Sequence, residues 1–180
     1  MRINFVAVCT LIALVAALAV PGRAQMGNNV ASPPAKAECK FSDGKTVHVD
    51  YSSPRMKGRI IFGGLVPYGE PWRAGANEAT TFMLDADMNV GGKTVPAGSY
   101  TLFTLPTANA WTLIISKQTG EWGVPYPGET YDFARVPMKV SKLASPLENF
   151  TFAFDQSGAA CTLRLDWEST RASVEISETK

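Results

Sequence analysis

The sequence predicts an all-β fold, an antiparallel β-sandwich of about nine or ten short strands. Apolar and polar residues alternate with a period of two in many short segments, and no segment of helical length repeats its apolar residues every 3.6 positions. Turn residues, chiefly glycine and proline, separate these segments at near-regular intervals. Several segments carry Thr, Ser, Lys and Arg on one face and Val, Leu, Phe and Trp on the other, which favours a sandwich over a closed barrel.

The predicted strands follow one another along the chain. In residues 47–51, two valines and a tyrosine alternate with His48 and Asp50, so one face of this strand is apolar. Gly91 and Gly92 are predicted to form a two-residue hairpin turn within residues 89–95, because glycine accepts positive φ angles. The other predicted strands are residues 59–62, 80–84, 99–105, 111–116, 135–140, 150–154, 162–167 and 172–176.

The domain organisation has three parts. Residues 1–24 contain Arg2, an uncharged and mostly apolar run of 16 residues (5–20) and a Pro-Gly break, a pattern typical of a secretory signal peptide. The run is shorter than the roughly 20 residues of a spanning helix, so we expect no membrane span once the signal is removed. Residues 25–38 are predicted to be a disordered tether, and residues 39–180 a single β-sandwich domain. The protein is therefore expected to be exported, to the periplasm or beyond the cell.

Charge and histidine content exclude several classes of function. The 180 residues carry a net charge of +1, which argues against nonspecific nucleic-acid binding. His48 is the only histidine, so zinc sites with two or three imidazoles are excluded. A metal site of His48, Asp50 and a distant Glu rests on weak spacing evidence. We predict no metal and no cofactor, and the oligomeric state is open.

Two cysteines remain after signal cleavage, Cys39 and Cys161. An even pair in an exported protein favours a disulfide. The alternative is two buried free thiols.

The densest polar cluster lies in one glycine-punctuated loop. A tryptophan face next to a guanidinium, an amide and a carboxylate suits a sugar or another small polar ligand. Alternatively, the tryptophan plugs the end of the sandwich, the arginine pairs with Glu78 or Asp85, and the asparagine caps a turn. The predicted ligand-binding residues are Tyr68, Trp72, Arg73, Asn77 and Glu78.

Two further groups are candidates for a role in function. Trp122, Tyr126 and Tyr131 lie in a Gly/Pro-rich segment, residues 120–131, that is long enough to fold over a site or simply to cover a sheet end. Glu78 could form a carboxylate pair of the glycosidase type with Asp85 or Glu121, although sequence spacing does not give their separation.

The loop also carries a family resemblance. Residues 68–80 read Tyr-Gly-Glu-Pro-Trp-Arg-Ala-Gly-Ala-Asn-Glu-Ala-Thr, and residues 90–104 read Val-Gly-Gly-Lys-Thr-Val-Pro-Ala-Gly-Ser-Tyr-Thr-Leu-Phe-Thr. With Trp-Thr-Leu-Ile at 111–114, these strings resemble the bacterial family catalogued as domain of unknown function 2911. The resemblance spans essentially the whole domain and implies exported, mostly β proteins, with no activity to carry over. The cysteine pair is not part of that pattern.

Three functions remain open from the sequence. The first is a module that binds a small polar ligand or an envelope glycan without catalysis. The second is a hydrolase with Glu78 as acid or base, Arg73 positioning the substrate, and His48 or a second carboxylate assisting. The third is a structural or protein-partner module of the cell envelope, for which an exposed apolar patch or sheet edge would be the sign.

Overall fold

The computed structural model describes residues 31–179, so the predicted signal peptide lies outside the described residues. These residues form nine strands and one short 3-10 helix, Glu129–Tyr131, which confirms the predicted all-β class. None of the helices in the described part of the chain has the length and apolar character needed to cross a membrane. The strands are β1 Pro34–Lys40, β2 Thr46–Ser52, β3 Thr80–Leu84, β4 Met88–Val90, β5 Lys93–Val95, β6 Gly98–Pro106, β7 Trp111–Ser116, β8 Asp132–Ser157 and β9 Ala160–Glu178.

All neighbouring strands pair antiparallel, in the order β1-β2-β3-β6-β7-β8-β9-β4-β5. The sheet has two parts, β1-β2-β3-β6-β7 and β9-β4-β5, and β8 joins them. Residues of β8 up to Met138 pair with β7, and those from Lys139 onward pair with β9. Both parts contribute to one hydrophobic core. The ring of Tyr51 on β2 meets the rings of Phe150 and Phe152 on β8 edge-on, at centroid distances of 5.7 and 5.2 Å. The sheet therefore folds back so that β2 packs against β8.

The long strands β8 and β9 each cover two of the segments predicted separately. Residues 135–140 and 150–154 both lie in β8, and residues 162–167 and 172–176 both lie in β9. The sequence between the paired segments lacks strict alternation because β8 is irregular there. The gaps between the predicted segments, residues 141–149 in β8 and 168–171 in β9, therefore correspond to this irregularity and not to turns.

The strand predicted at residues 59–62 is wrong. This segment is a series of turns, with a single bridge between Phe62 and Val66. Its two successive residues Ile61 and Phe62 are both buried, whereas Ile60 is 73% exposed. A turn, in which Gly64 donates a hydrogen bond to the Ile61 carbonyl at 3.2 Å, permits this pattern where a strand would not.

The predicted disordered tether, residues 25–38, is also corrected at its C-terminal end, because β1 begins at Pro34. β1 pairs with β2 over its whole length, from Pro34 opposite Ser52 to Lys40 opposite Thr46. β1 is the first strand in the sheet order, a position where proline is tolerated because the outer side needs no N–H donor. Residues 34–38 therefore belong to the folded domain.

The predicted hairpin at Gly91 and Gly92 is confirmed, with φ angles of 54° and 89°. A Cβ atom at Gly91 would lie 2.3 Å from Val136 Cγ1 and 2.8 Å from Val174 Cγ2. Close packing of the turn against β8 and β9 therefore requires glycine here, in addition to the positive φ.

Cys39 on β1 and Cys161 on β9 are both buried, with their Cα atoms 6.5 Å apart. Their sulfur atoms lie at disulfide distance, which is compatible with the predicted bond. The bond would join strands from the two parts of the sheet across 122 residues of sequence.

We predict that reduction of this pair lowers the free energy of unfolding by about 3 to 5 kcal/mol, because a long closed loop restricts the unfolded chain. Urea denaturation with and without reductant tests this, and a Cys39→Ala/Cys161→Ala variant should be insensitive to reductant. Finding two alkylatable thiols in the protein after native export would contradict the prediction.

Candidate functional site

Trp72 is half-buried and packs against the core of the domain. Its ring stacks on Trp167 of β9 at a centroid distance of 5.7 Å and an interplanar angle of 19°, and it meets Phe150 edge-on at 5.0 Å. Its backbone exchanges two hydrogen bonds of 2.8 Å with Thr104 on β6. One face of the indole is thus occupied by Trp167, which agrees with the structural alternative for this residue.

Arg73 lies under the loop that connects β7 to β8. A Cβ atom at Gly123 would be 3.0 Å from Arg73 Cβ and 2.9 Å from Ala79 Cβ, so the loop packs tightly on both residues. Arg73 Nε and Glu121 Oε1 are buried without hydrogen-bond partners among residues 31–179. Burial lowers the pKa of Arg73 and raises the pKa of Glu121. The loop therefore closes over Arg73, and in this part of the chain Arg73 pairs with neither Glu78 nor Asp85.

Asn77 holds the loop against the sheet. Its side-chain nitrogen donates hydrogen bonds of 3.2 Å to Ser52 Oγ on β2 and to the carbonyl of Ser32. Its backbone has a φ of 57°, a conformation that asparagine adopts more readily than most residues. The position is therefore explained by local structure.

Glu78 and Tyr68 are both exposed. Glu78 lines a cleft of 260 Å³ that also includes Asp50 and Thr81. Tyr68 is 47% exposed and packs against Gly63 in the preceding turn. Glu78 thus lines a cleft, and the role of the five predicted residues as a ligand site stays a prediction.

His48 and Asp50 share the outward face of β2, as the alternation predicts. Asp50 pairs with Lys36 on β1, Oδ1 to Nζ at 2.9 Å. Within residues 31–179, no three His, Cys, Asp or Glu residues are grouped so as to hold a metal ion.

The aromatic loop that follows β7 ends in a polar network. The ring of Tyr126 meets Phe103 edge-on at 5.1 Å, and its hydroxyl donates to Asp132 Oδ1. Arg135 Nε donates to Asp132 Oδ2 at 2.7 Å, and its Nη2 lies 3.0 Å from Glu129 Oε1. Burial, and then the hydrogen bond to Asp132, raise the pKa of Tyr126 to about 12. This network fixes the loop on the outer face of the sheet.

The ladder between β8 and β9 contains a large irregularity. Lys142 pairs with Thr170 and Thr151 pairs with Asp166, so eight residues of β8 (143–150) lie opposite three residues of β9 (167–169). Glu168 in the middle has a φ of 51°, which is strained for a residue with a side chain. Bulges of this kind often occur beside functional sites, because they re-aim side chains away from the ladder.

A cleft of 580 Å³ lies between this bulge and β9. The volume falls within the range of about 300 to 1,000 Å³ that is usual for small-molecule sites. We call it the arginine cleft; its lining residues are Lys142, Leu143, Ala144, Ser145, Leu147, Thr151, Arg164, Asp166 and Arg171.

Asp166 forms the floor of the arginine cleft, with a side chain that is only 4% exposed. Its Oδ1 accepts a hydrogen bond of 2.7 Å from Arg171 Nε. Its Oδ2 accepts bonds from Arg171 Nη2 at 2.7 Å and Arg164 Nη1 at 2.6 Å. Arg164 Nε donates to Asp155 Oδ1 at 3.0 Å. One buried carboxylate therefore orients two guanidinium groups, and its hydrogen bond is the main cause that raises the pKa of Arg171.

Both arginines keep unused hydrogen-bonding capacity. Their side chains are 25% and 34% exposed, for Arg164 and Arg171 respectively. Each guanidinium has further N–H groups that receive no partner from the described residues. These groups are free to bind a ligand.

The sequence interpretation missed this cluster. Alternation in residues 162–167 puts Arg164 and Asp166 on the face opposite Leu163, Leu165 and Trp167, where charged residues are expected to be solvated. The available signal was an aspartate with arginines two residues before it and five residues after it. That signal is weak, because the burial of the carboxylate depends on tertiary packing that local alternation does not report.

Comparison with known proteins gives one family. Residues 32–176 match the family model described as "Protein of unknown function (DUF2911)". No curated protein and no solved structure matches the chain.

We predict that Asp166→Asn lowers the free energy of unfolding by about 2 to 3 kcal/mol. The change removes the buried carboxylate that pairs with two arginines, and it places an amide N–H donor next to the arginine N–H donors. Asp155→Asn is the matched control, since Asp155 pairs with the same Arg164 but is 57% exposed, and it should cost less than about 1 kcal/mol. Urea denaturation measures both. Equal losses would contradict the assigned role of Asp166.

We predict that stability falls as the pH rises from 10 to 12 and that Tyr126→Phe removes part of this fall. Tyr126 ionises near its ordinary pKa of 10.0 in the unfolded chain and near a pKa of about 12 in the folded one. Between these values the unfolded chain gains stability by releasing the proton, so the free energy of unfolding falls there and is unaffected below it. Denaturant titrations of both proteins across this range give the difference. Parallel pH profiles for the two proteins would contradict the prediction.

Proposed function

The chain belongs to the DUF2911 family, and we propose that it is an exported module that binds a small polar ligand in the arginine cleft without catalysing a reaction. The observation that carries this proposal is the cleft itself. In it the buried Asp166 orients Arg164 and Arg171, and each of these arginines keeps N–H groups that have no partner among residues 31–179. Export is supported by the leading sequence pattern and by the cysteine pair at disulfide distance.

The absence of catalysis in this proposal rests on the chemistry of the lining. An arginine side chain can bind and orient an anionic group of a ligand. It stays protonated at physiological pH, however, so it is a poor general acid or base. Asp166 accepts three hydrogen bonds and is nearly enclosed, which leaves it little access to a substrate. The remaining polar side chains in the lining are Lys142, Ser145 and Thr151, and among residues 31–179 neither hydroxyl is hydrogen-bonded to a histidine, carboxylate or lysine that would activate it.

The test is a ligand screen by thermal shift and isothermal titration calorimetry, with small glycans and polar metabolites as probes. Ala144→Trp places a large ring in the wall of the cleft and should abolish binding of any ligand found. Ala108→Trp adds the same ring at an exposed alanine in the β6–β7 turn and should leave binding unchanged. Full affinity in the Ala144→Trp protein would remove the arginine cleft as the site.

The same screen tests the Tyr68 to Glu78 loop. Glu78 shares a 260 Å³ cleft with Asp50, and this shared cleft is the one observation that favours the hydrolase alternative. A ligand whose binding is lost in Glu78→Gln and kept in Ala144→Trp would move the site to that loop. Conversion of a glycan to products by the wild type and not by Glu78→Gln would replace the binding proposal with the hydrolase.

A further inference from the structure

We propose that the ligand of the arginine cleft is an oxyanion-bearing small molecule, held through a carboxylate or phosphate group by Arg164 and Arg171. This inference rests on the proposed function, because it names the class of ligand for the same cleft. It also assigns Asp166 as a positioning residue that does not touch the ligand.

The charge of the lining favours an anion. Lys142, Arg164 and Arg171 are cationic, and Asp166 is the one acidic residue among the lining residues. Asp155, which pairs with Arg164 from outside the lining, brings the net charge of this cluster to +1. The whole chain has a net charge of only +1. The cluster is therefore slightly cationic, which favours an anionic ligand at short range.

The two guanidinium groups are held in place before any ligand arrives. Arg171 is bound to Asp166 through Nε and Nη2, and this bidentate contact fixes the plane of the guanidinium. Arg164 is fixed at both Nε and Nη1 by Asp155 and Asp166. Restricting these flexible side chains in the free protein reduces the entropy lost on binding.

The donors that remain match an oxyanion. Nη1 of Arg171 and Nη2 of Arg164 have no hydrogen-bond partner among residues 31–179. Planar guanidinium donors pair with the oxygen atoms of carboxylates and phosphates in a defined geometry.

The volume of the cleft adds a size limit. At 580 Å³ it exceeds what an inorganic anion fills, and Leu143 and Leu147 give its wall an apolar portion. The ligand is therefore an organic molecule of about the size of a sugar acid or a sugar phosphate.

A structural ion-pair network is the competing explanation, and the chain contains one for comparison. Arg135 is 33% exposed and bound to Asp132, whose side chain is 8% exposed. Arg171 is 34% exposed and bound to Asp166, whose side chain is 4% exposed. Arg135 does not line the arginine cleft, so Arg135→Gln is a matched control for Arg171→Gln.

The experiment is calorimetric titration of the full protein with three probes of similar size: glucuronate, glucose 6-phosphate and glucose. We expect at least one of the two anions to bind at least about tenfold more tightly than glucose. Arg171→Gln should weaken that binding by about 10- to 100-fold through loss of a charge-assisted hydrogen bond, and Arg135→Gln should leave it unchanged. Arg171→Lys, which keeps the charge but not the planar fork, should give an intermediate loss and guards against a misfolded glutamine variant.

The outcomes separate this inference from the proposed function. Preference for glucuronate identifies a carboxylate ligand, and preference for glucose 6-phosphate identifies a phosphate ligand. If glucose binds as tightly as both anions and Ala144→Trp abolishes that binding, the oxyanion inference is wrong and the proposed function stands. If none of the three probes binds while another neutral ligand from the screen does so in the cleft, the inference is also overturned. Equal loss of anion binding in Arg171→Gln and Arg135→Gln would reduce the arginine pair to a structural role.

Discussion

The pairing of β8 with β9 holds the two parts of the sheet together and carries the arginine cleft. Among the strands of residues 31–179, β8 is the one that pairs in both parts of the sheet, and β9 holds the second part to it. The inward face of this pair carries Phe150 and Trp167, which pack against one another at 5.6 Å. The outward face carries Arg164 and Asp166. Strand alternation therefore places the aromatic core and the charged cluster back to back on the same two strands.

The bulge in β8 connects these two faces. An uninterrupted ladder would leave Asp166 on an open sheet surface, where its pairs with arginine would be weak. The extra residues of β8 instead form a wall, with the cleft between that wall and the strand that carries the arginines. The same segment contributes to the core side, since the indole of Trp167 donates a hydrogen bond of 3.2 Å to the carbonyl of Glu148. A single irregularity thus serves both packing and the candidate site.

The loop from Tyr68 to Glu78 packs against one end of the core and is held there by contacts at both of its halves. The ring of Trp72 stacks on Trp167, and its backbone pairs with Thr104, so this part of the loop is anchored to β9 and β6. Asn77 anchors it to β2 and to the segment before β1. A dense run of distinctive residues is therefore explained to a large extent by the geometry needed to close one end of the core.

Much of the fold could be predicted from the sequence, because alternation and paired glycines report local backbone geometry. Residues 47–51, 80–84 and the Gly91–Gly92 hairpin are cases in which local pattern and tertiary structure agree. Residues 59–62 show the limit, since a short apolar run fits a strand and a buried turn equally well. The cleft could not be predicted, because the burial of Asp166 depends on the register between β8 and β9, and register is a long-range property.

If Asp166 presents Arg164 and Arg171 to an anionic ligand, that ligand lies in the arginine cleft and contacts both guanidinium groups. The most direct measurement is a crystal structure of the protein grown with glucuronate and, in parallel, with glucose 6-phosphate. We expect that in at least one of them the anionic group lies within hydrogen-bonding distance of both arginines, with the contact between Asp166 and Arg171 preserved. An empty arginine cleft in both crystals, with ligand beside Glu78 or at no site at all, would contradict it.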